Sequence, residues 1–389
     1  MSIAKFAFPT TIHFGPGARK LVGPHLLELG LKRPLVVTDR ALAALPVLTE
    51  FRLHLHELDV AVFDAIHGNP TCAMVMEGSK AFQAHGADCV IGFGGGAALD
   101  VAKVVGLMAT HPGDVLEYVW DHPNVRPIVH ALPHFIALPT TSGTGSEVGR
   151  SAVVSENDTH HKRTVFDAKL LAKAVFADPE LTFALPPGVT AATGMDALTH
   201  NVESYLSPAY HPLCDGIALE GVRIAARALP LAVRNGRDQQ ARSDMLMASM
   251  MGAIAFQKDL GAVHSCAHAL STVADLHHGL ANGIMIDHVM RFNLPSAATK
   301  MAELARVAGV QGAASAGESE AAELFVGWLA ALKAELGIPA TLSAFKGARA
   351  VTRADVPALV AVAVDDICHQ TNPRPVTRAD FERLFASAL

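Results

Sequence analysis

The second half of the sequence contains two pairs of side chains that can bind a metal ion, and the two members of each pair are one helical turn apart. Asp196 and His200 are four residues apart, and His264 and His268 repeat this spacing, so each pair lies on one face of a helix. His278 follows His264 by fourteen residues, which lets the chain turn back to the same cluster. A single pair at this spacing is more often an ordinary polar pair, but three histidine-bearing segments in an apolar region predict a metal site.

The donor types narrow the choice of metal. A carboxylate with several imidazoles and no sulfur suits Fe(II), Zn(II), Mn(II), Co(II) or Ni(II) better than Ca(II) or Cu(I). The five cysteines are far apart and never in C-x-x-C spacing, which argues against a thiolate zinc site and against a disulfide framework. We therefore expect a reducing, cytoplasmic location.

Two loops have the composition of anion-binding turns. Residues 94–96 are three glycines between a strand-like run and a helix-like run, so backbone N–H groups there can approach a pyrophosphate. A tight turn without a ligand is the alternative explanation. Residues 139–147 (PTTSGTGSE) combine hydroxyls with glycines, which suits phosphate or ribose, and they match neither a P-loop nor a serine hydrolase motif.

Asp39 ends another strand-like run. An acidic residue at this place can accept a hydrogen bond from the adenosine ribose of a dinucleotide, although here it precedes the glycines instead of following them. It can equally be the N-cap of the helix that starts at Arg40. The sequence leaves both interpretations open.

The elements that must position these residues follow from length and pattern. A chain of 389 residues and 40.9 kDa is expected to form two domains. In the first half, runs typical of buried strands at 34–39, 61–66, 89–94 and 135–140 alternate with helical patterns at 40–55 and 74–85, which predicts a parallel, doubly wound sheet. After Pro186 the sequence becomes rich in Ala, Leu, Met and His. We predict a dinucleotide-binding α/β domain over 1–185 and a helical domain over 186–389.

The composition of the chain limits the kinds of partner that it is expected to bind. The chain has 31 Lys and Arg against 37 Asp and Glu and no basic run, so we expect no nucleic-acid partner. No apolar stretch is long enough for a membrane span, and the prolines near the start do not fit a secretory signal. With half of its residues hydrophobic, the chain is expected to form a homo-oligomer, a dimer or higher.

Taken in order, these motifs resemble the iron-containing (group III) alcohol dehydrogenases, a family that includes lactaldehyde reductase and 1,3-propanediol dehydrogenase. The resemblance spans nearly the whole chain. It rests on residues 94–103 (GGGAALDVAK), 139–147, 191–200 (AATGMDALTH), His264 with His268, 278–282 (HGLAN) and 372–374 (NPR).

The resemblance implies a Rossmann-like parallel-sheet domain followed by an all-α domain, the fold shared with dehydroquinate synthases, and one divalent metal beside a nicotinamide in the cleft between them. It implies Fe(II), with Zn(II) as the alternative, and NAD as the cofactor. The implied metal ligands are Asp196, His200, His264 and His278, with His268 nearby as a catalytic proton relay and His277 without a role. The implied cofactor residues are Asp39, Gly95, Gly96, Ala97, Asp100, Thr140, Thr141, Thr144 and Lys162.

The sequence departs from the family pattern at two places. Ala97 stands where Ser is usual, so a backbone amide must replace one hydroxyl contact to the cofactor. Ser271 and Thr272 stand where smaller residues are common. Related maleylacetate reductases lack this ligand set, which argues against them.

The expected reaction is reversible hydride transfer between NAD and a small primary alcohol or diol. The metal would act as a Lewis acid, and His268 would pass the proton toward solvent. Two alternatives are a metal-dependent lyase of the dehydroquinate-synthase type and a non-catalytic metal or nucleotide sensor.

Overall fold

A computed structural model of the chain describes residues 10–159, 161–345 and 349–389. These residues form two compact units. The α/β unit consists of residues 10–141 and Gly145–Phe183, and the helical unit consists of Ser142–Thr144 and Ala184–Leu389. The turn at Ser142–Thr144 thus groups with the helical unit although the strand that precedes it belongs to the α/β unit.

The α/β unit contains a six-stranded sheet whose strands are β1 Thr11–Phe14, β2 Pro34–Asp39, β3 Ala61–Ile66, β4 Cys89–Gly94, β5 His134–Pro139 and β8 Ala174–Ala177. The strands lie in the order β1-β8-β5-β4-β2-β3, and each neighbouring pair in this order is parallel. Central strands β2 and β4 are buried almost throughout, as continuous apolar runs in a parallel sheet require. The predicted α/β fold class is confirmed.

The remaining elements of this unit cover or extend the sheet. The helices are α1 Val22–Glu28, α2 Arg40–Ala43, α3 Pro46–Arg52, α4 Cys72–His85 and α5 Gly96–Thr110, and an antiparallel hairpin is formed by β6 Ser151–Ser155 and β7 Lys162–Phe166. The single helix expected over 40–55 is instead broken into α2 and α3. Pro46 starts the second of them, because proline fits a helix at its first position but not in its interior.

The helical unit is built around α6 Pro187–Leu206, whose residues from Thr190 to Leu206 are all buried. The other helices are α7 Pro212–Arg234, α8 Gln239–Ala255, α9 Ala262–Ala274, α10 His278–Val307, α11 Glu318–Glu335, α12 Val356–Asp365 and α13 Arg378–Ala388. Because α6 is enclosed by its neighbours, polar residues such as Asp196 and Asn201 bond to other helices of the unit, Asp196 to Asn282 and Asn201 to Ala248.

Close contacts fix the start of α10 against α6. A Cβ at Gly279 would stand 2.4 Å from the backbone oxygen of Ala192, so no larger residue fits there. This contact places His278, the first residue of α10, beside the turn of α6 that carries Asp196. Among the described helices, none is both long enough and apolar enough to cross a membrane.

Candidate metal centre and cofactor turns

Four predicted ligands converge in the helical unit. Oδ1 of Asp196 lies 3.8 Å from Nε2 of His200, 3.7 Å from Nε2 of His264 and 3.5 Å from Nε2 of His278. The rings of His200 and His264 are stacked with centroids 4.6 Å apart. Ligand-type atoms of Asp196, His200 and His264 therefore form one close cluster, all within 4.8 Å of one another, and Nε2 of His278 from α10 lies beside the same carboxylate oxygen.

Hydrogen bonds on the far side of two rings orient these nitrogens. Nδ1 of His264 lies 2.6 Å from Oε2 of Glu203, and Nδ1 of His200 lies 3.3 Å from the backbone oxygen of Gly143. When Nδ1 carries the proton and donates it outward, Nε2 is left as an acceptor that faces the cluster. A carboxylate behind a histidine is the usual support of a metal ligand in proteins.

Burial and charge shape the ionisation of the cluster. Burial opposes the charge on Asp196, but the surrounding histidines, His200 first, outweigh it and hold the pKa of Asp196 well below its usual value. Burial lowers the pKa of His200 to about 4, which keeps this ring neutral. Burial also opposes protonation of His264, but hydrogen bonds with Asp196 and Glu203 outweigh it and raise its pKa to about 9. The centre thus favours positive charge next to Asp196.

Asn282 lies one turn after His278 on α10 and completes the cluster. Its Nδ2 donates to Oδ1 of Asp196 at 2.8 Å and lies 3.4 Å from Nε2 of His264 and 3.2 Å from Nε2 of His278. Its Oδ1 is buried without a hydrogen-bond partner among the described residues. The amide therefore borders the point on which the ligand atoms converge.

The residues present fit a divalent cation. One hard oxygen and three borderline nitrogens form the donor set that Fe(II) and Zn(II) accept, and two of the rings already present their Nε2 atoms through outward hydrogen bonds. The side chains of Asp196, His200 and His264 are nine-tenths or more buried, and few uncompensated polar groups are buried so deeply. Asp196, His200, His264 and His278 are therefore our candidates for the ligands.

Glu203 also caps the helix that carries His264. Helix α9 has no side-chain cap of its own, and its first N–H groups bond to distant residues. Oδ1 of Asn372 accepts from Ala262 at 3.2 Å, and Glu203 accepts from Val263 at 2.7 Å and from His264 at 3.3 Å. Glu203 thereby fixes both the start of α9 and the ring of His264.

Replacing Glu203 with glutamine should weaken metal binding by roughly 10- to 100-fold, since an amide places two donors where three N–H groups need acceptors. Global stability should fall by about 1–3 kcal/mol. Metal affinity is measured by competition with a chelator, and thermal unfolding is followed with and without metal. Glu220→Gln, at an exposed residue of α7, is the control and should change neither quantity. Unchanged metal affinity in Glu203→Gln would remove Glu203 from the site.

The two remaining histidines of these segments lie apart from the convergent atoms. His268 is one turn after His264 on α9, and its ring is stacked on that of His278 with centroids 5.2 Å apart. Its Nδ1 lies 2.7 Å from Oδ2 of Asp366. His277 is the N-cap of α10, where its Nδ1 accepts from the N–H of Leu280 at 3.4 Å.

The α/β unit brings several predicted cofactor residues to one edge of its sheet. Strands β2, β4 and β5 are neighbours, so Asp39, the glycine turn and Thr140 all stand at their carboxyl ends. The N–H of Thr140 donates to the oxygen of Gly94 at 3.0 Å, and a Cβ at Gly95 would meet the side chain of Thr141 at 3.2 Å. The carboxyl edge of a parallel sheet is where such folds bind nucleotides.

Helix α5 adds a helix terminus at this edge. Gly95 is its N-cap without a side chain, and Gly96 and Ala97 are its first residues, so their N–H groups have no partner within the helix. An anion is favoured there by the free N–H groups and by the helix dipole. Loss of a hydroxyl at Ala97 leaves these backbone donors in place.

Asp39 caps α2. Its Oδ1 accepts from the N–H of Leu42 at 2.8 Å, which establishes the capping interpretation. Its Oδ2 lies 3.6 Å from the point where a Cβ on Gly94 would stand, so the carboxylate borders the glycine turn. One oxygen caps the helix while the residue remains at the edge where a ribose is expected.

Asp100 supports the threonine-rich loop from inside. Its Oδ1 accepts from Oγ of Ser146 at 2.6 Å, and its Oδ2 accepts from the N–H of Val153 at 2.9 Å. Lys103, one turn later, donates to Ser146 at 2.8 Å and to the oxygen of Ser151 at 2.6 Å. Both oxygens of Asp100 are thus used within the protein, which gives it a positioning part, and its direct contact with a cofactor stays a prediction.

The charged end of the same loop is fully buried. Burial raises the pKa of Glu147 to about 7, against the opposing effects of its own backbone amide and of Lys103. Burial likewise lowers the pKa of Lys103.

Two predicted cofactor residues lie outside the six-stranded sheet. Thr144 belongs to the turn that groups with the helical unit, and Lys162 is the first residue of β7, where it pairs with Ser155 on the hairpin.

The sequence interpretation missed three supporting residues. Glu203 continues the stripe of Asp196 and His200 by one more turn of α6, so helical spacing alone could have found it. Asn282 lies in the HGLAN segment, four residues after His278. Asp366 is 98 residues from His268, and no local signal connects them.

Comparison with known proteins gives the class and then the family. The profile described as "Iron-containing alcohol dehydrogenase" matches residues 9–179, and the profile described as "Fe-containing alcohol dehydrogenase family, C-terminal" matches residues 190–389. Together they span most of the chain and define a two-part, metal-type oxidoreductase. The chain belongs to the iron-containing alcohol dehydrogenase family, as its motifs predicted.

Individual relatives match the chain over nearly the whole length of both proteins. The chain is 36% identical over 389 residues to the 4-hydroxybutyrate dehydrogenase of Cupriavidus necator, with 98% of both chains covered. It is 33% identical over 390 residues to the NAD-dependent methanol dehydrogenase of Bacillus methanolicus, with 100% of both covered. The crystal structure of a 1,3-propanediol oxidoreductase superposes with a TM-score of 0.93 at 33% identity and covers 100% of both chains.

Proposed function

We propose that this chain is a metal- and NAD-dependent alcohol dehydrogenase that interconverts a small primary alcohol or diol and its aldehyde. The observation that carries the proposal is the convergence of Asp196 with three histidine Nε2 atoms in a chain of this family. The relatives described above are named for short alcohols, a diol or a hydroxy acid, which supports a small substrate.

The helical unit would hold the metal through Asp196, His200, His264 and His278. When bound, a divalent metal supplies Lewis-acid activation of an alcohol oxygen, and NAD supplies the hydride acceptor. Glu203 and the oxygen of Gly143 hold two ligand rings in place, so the site is preorganised by the protein. Iron is the metal in the name of the family, and zinc is the alternative that the same donors accept.

The α/β unit would bind the dinucleotide at the carboxyl edge of β2, β4 and β5. The N–H groups of Gly96 and Ala97 at the start of α5 would receive the pyrophosphate, and Thr140 and Thr141 border the same turn. Asp39 would accept a hydrogen bond from the adenosine ribose with a carboxylate that also caps α2. Thr144 and Lys162 remain candidate contacts.

Assembly and location are part of the proposal. Half of the residues are hydrophobic, which supports a homo-oligomer, and light scattering at the assay concentration tests it. All five cysteines are free thiols, which supports a reducing, cytoplasmic location.

The test of the proposed function is a screen of NAD reduction over short alcohols, diols and hydroxy acids. Protein stripped of metal is reconstituted separately with Fe(II) and with Zn(II), and turnover is compared with that of the metal-free protein. We expect metal-dependent NADH formation with at least one short alcohol. Absence of turnover with every alcohol and both metals would overturn the dehydrogenase assignment and favour a non-catalytic binding protein.

A further inference from the structure

A second group of reactive side chains lies one turn beyond His264 on α9. Nδ1 of His268 is 2.7 Å from Oδ2 of Asp366, the C-cap residue that follows α12. Oδ1 of Asp366 accepts from Oγ of Ser265 at 2.7 Å and from the N–H of Cys368 at 2.9 Å. Ligand-type atoms of His268, Asp366 and Cys368 lie within 4.8 Å of one another.

This group has two possible uses, a second metal site or an oriented histidine. Both oxygens of Asp366 already accept hydrogen bonds, and three donors from α9 and the segment after α12 surround them. Burial, with the added effect of the Asp366 charge, raises the pKa of Cys368 well above its ordinary value, so its sulfur is held as a neutral thiol and not as the thiolate that metals prefer. The contacts therefore favour the oriented histidine.

The ring of His268 is held on two sides. Asp366 binds its Nδ1 edge, and the face of the ring is stacked on His278 with centroids 5.2 Å apart and planes 20° apart. Because His278 is a candidate metal ligand, this stacking makes His268 a neighbour of the candidate metal site without making it a ligand. Asp366 also accepts a hydrogen bond from Ser265, which lies on α9 as His268 does, so two contacts with α9 fix the position of the carboxylate.

We propose that Asp366 is the positioning residue for His268 in alcohol oxidation: by accepting the Nδ1 proton, it fixes the ring and leaves Nε2 as the only nitrogen that can take a proton. A neutral imidazole has one donor and one acceptor, so a carboxylate at Nδ1 selects the tautomer with a basic Nε2. The proposal rests on the proposed dehydrogenase function. In the oxidation direction, NAD⁺ would supply the acceptor for the hydride that leaves the alcohol C–H bond, and the proton that the O–H loses as the C=O bond forms would pass to Nε2 of His268, the nitrogen that Asp366 leaves unprotonated.

A double-mutant cycle tests the pairing. His268→Ala should lower kcat by roughly 10²-fold, the size usual for one acid–base group. Asp366→Asn should lower kcat to a similar extent, with KM for the alcohol little changed, since its partner ring loses its orientation. In the His268→Ala background, Asp366→Asn should cause no further loss. A further loss of the same size in that background would overturn the proposal, because it would show that Asp366 acts without His268.

The matched control is the adjacent carboxylate. Asp365 is exposed and precedes Asp366 in the chain, so Asp365→Asn removes the same charge without touching His268 and should leave kcat unchanged. Bound metal is counted in every variant. One metal per chain in both wild type and Asp366→Asn supports the proposal, whereas a fall from two to one would identify a second metal site and overturn it.

A spectroscopic measurement separates failure of this proposal from failure of the dehydrogenase assignment. In Zn(II)-loaded wild-type protein labelled with ¹⁵N-histidine, the resonances missing from His268→Ala identify His268, and their shifts report which nitrogen is protonated. We expect the Nδ1–H tautomer in wild type. An Nε2–H tautomer would overturn the proposal even if Asp366→Asn fails to fold, and the result stands even if no alcohol is turned over.

Discussion

His278→Ala is expected to remove the bound metal and to lower kcat/KM by roughly 10³-fold or more, because Lewis-acid stabilisation is worth several kcal/mol. His278 is the best ligand for this test. Its side chain is 24% exposed, whereas His264 is 1% exposed and hydrogen-bonded to Glu203, so His264→Ala would also leave a buried carboxylate with an unused acceptor. A change at His278 therefore reports on metal with little damage to the fold.

The neighbouring histidine provides the matched control. His277 is the N-cap of α10, so His277→Ala removes an imidazole one residue away and costs no more than a helix cap, about 1 kcal/mol. Metal content by elemental analysis, kcat/KM and circular dichroism are measured together for both variants. If His278→Ala keeps one metal per chain, or if His277→Ala loses it, the ligand set proposed here is wrong.

The convergence of the ligands could be predicted only in part from the sequence. The spacing of Asp196 and His200 shows that they share a helix face, because helical periodicity is a local property. The contact between His264 and Glu203 depends on the packing of α9 against α6, and the contact between His268 and Asp366 joins residues 98 positions apart. Such contacts follow from tertiary packing, which no window of sequence encodes.

The fold, like the metal site, could be predicted only in part from the sequence. Strands β2 and β4 were predicted with their observed bounds, since each is a continuous apolar run followed by a polar or glycine turn. Strands β1 and β8 have only four residues each, and their pairing with each other joins parts of the chain more than 150 residues apart. Short strands give too little periodicity to be recognised, and the sheet itself supplies their partners.

Asp39 can fill both of the roles predicted for it, the helix cap and the ribose contact. Its spacing allowed a helix cap or a ribose contact, and the structure establishes the cap through Leu42. A carboxylate has two oxygens, however, and the cap uses Oδ1 alone. The residue stays at the carboxyl edge beside the glycine turn, so the ribose contact remains a prediction that a cofactor comparison can test.

We expect Asp39 to make the enzyme prefer NAD, because its charge would face the 2′-phosphate of NADP with the same sign. Asp39→Asn keeps a good N-cap and removes that charge, so the ratio of kcat/KM for NADP to that for NAD should rise roughly 10- to 100-fold with unchanged thermal stability. Asp39→Gly removes the charge and the hydrogen bond together. We therefore expect Asp39→Gly to shift the ratio further than Asp39→Asn does, together with weaker use of NAD. Thermal stability should change little, because glycine at an N-cap costs only about a few tenths of a kcal/mol.

The control for overall charge is Asp64, an exposed residue of the neighbouring strand β3. Asp64→Asn changes the net charge as Asp39→Asn does, but it lies in mid-strand and should leave the cofactor ratio unchanged. Both cofactors are compared at one fixed salt concentration, because screening weakens the repulsion that the test measures. A ratio that stays constant in Asp39→Asn and in Asp39→Gly would mean that Asp39 is only the cap of α2, and that the choice of cofactor is made by other residues.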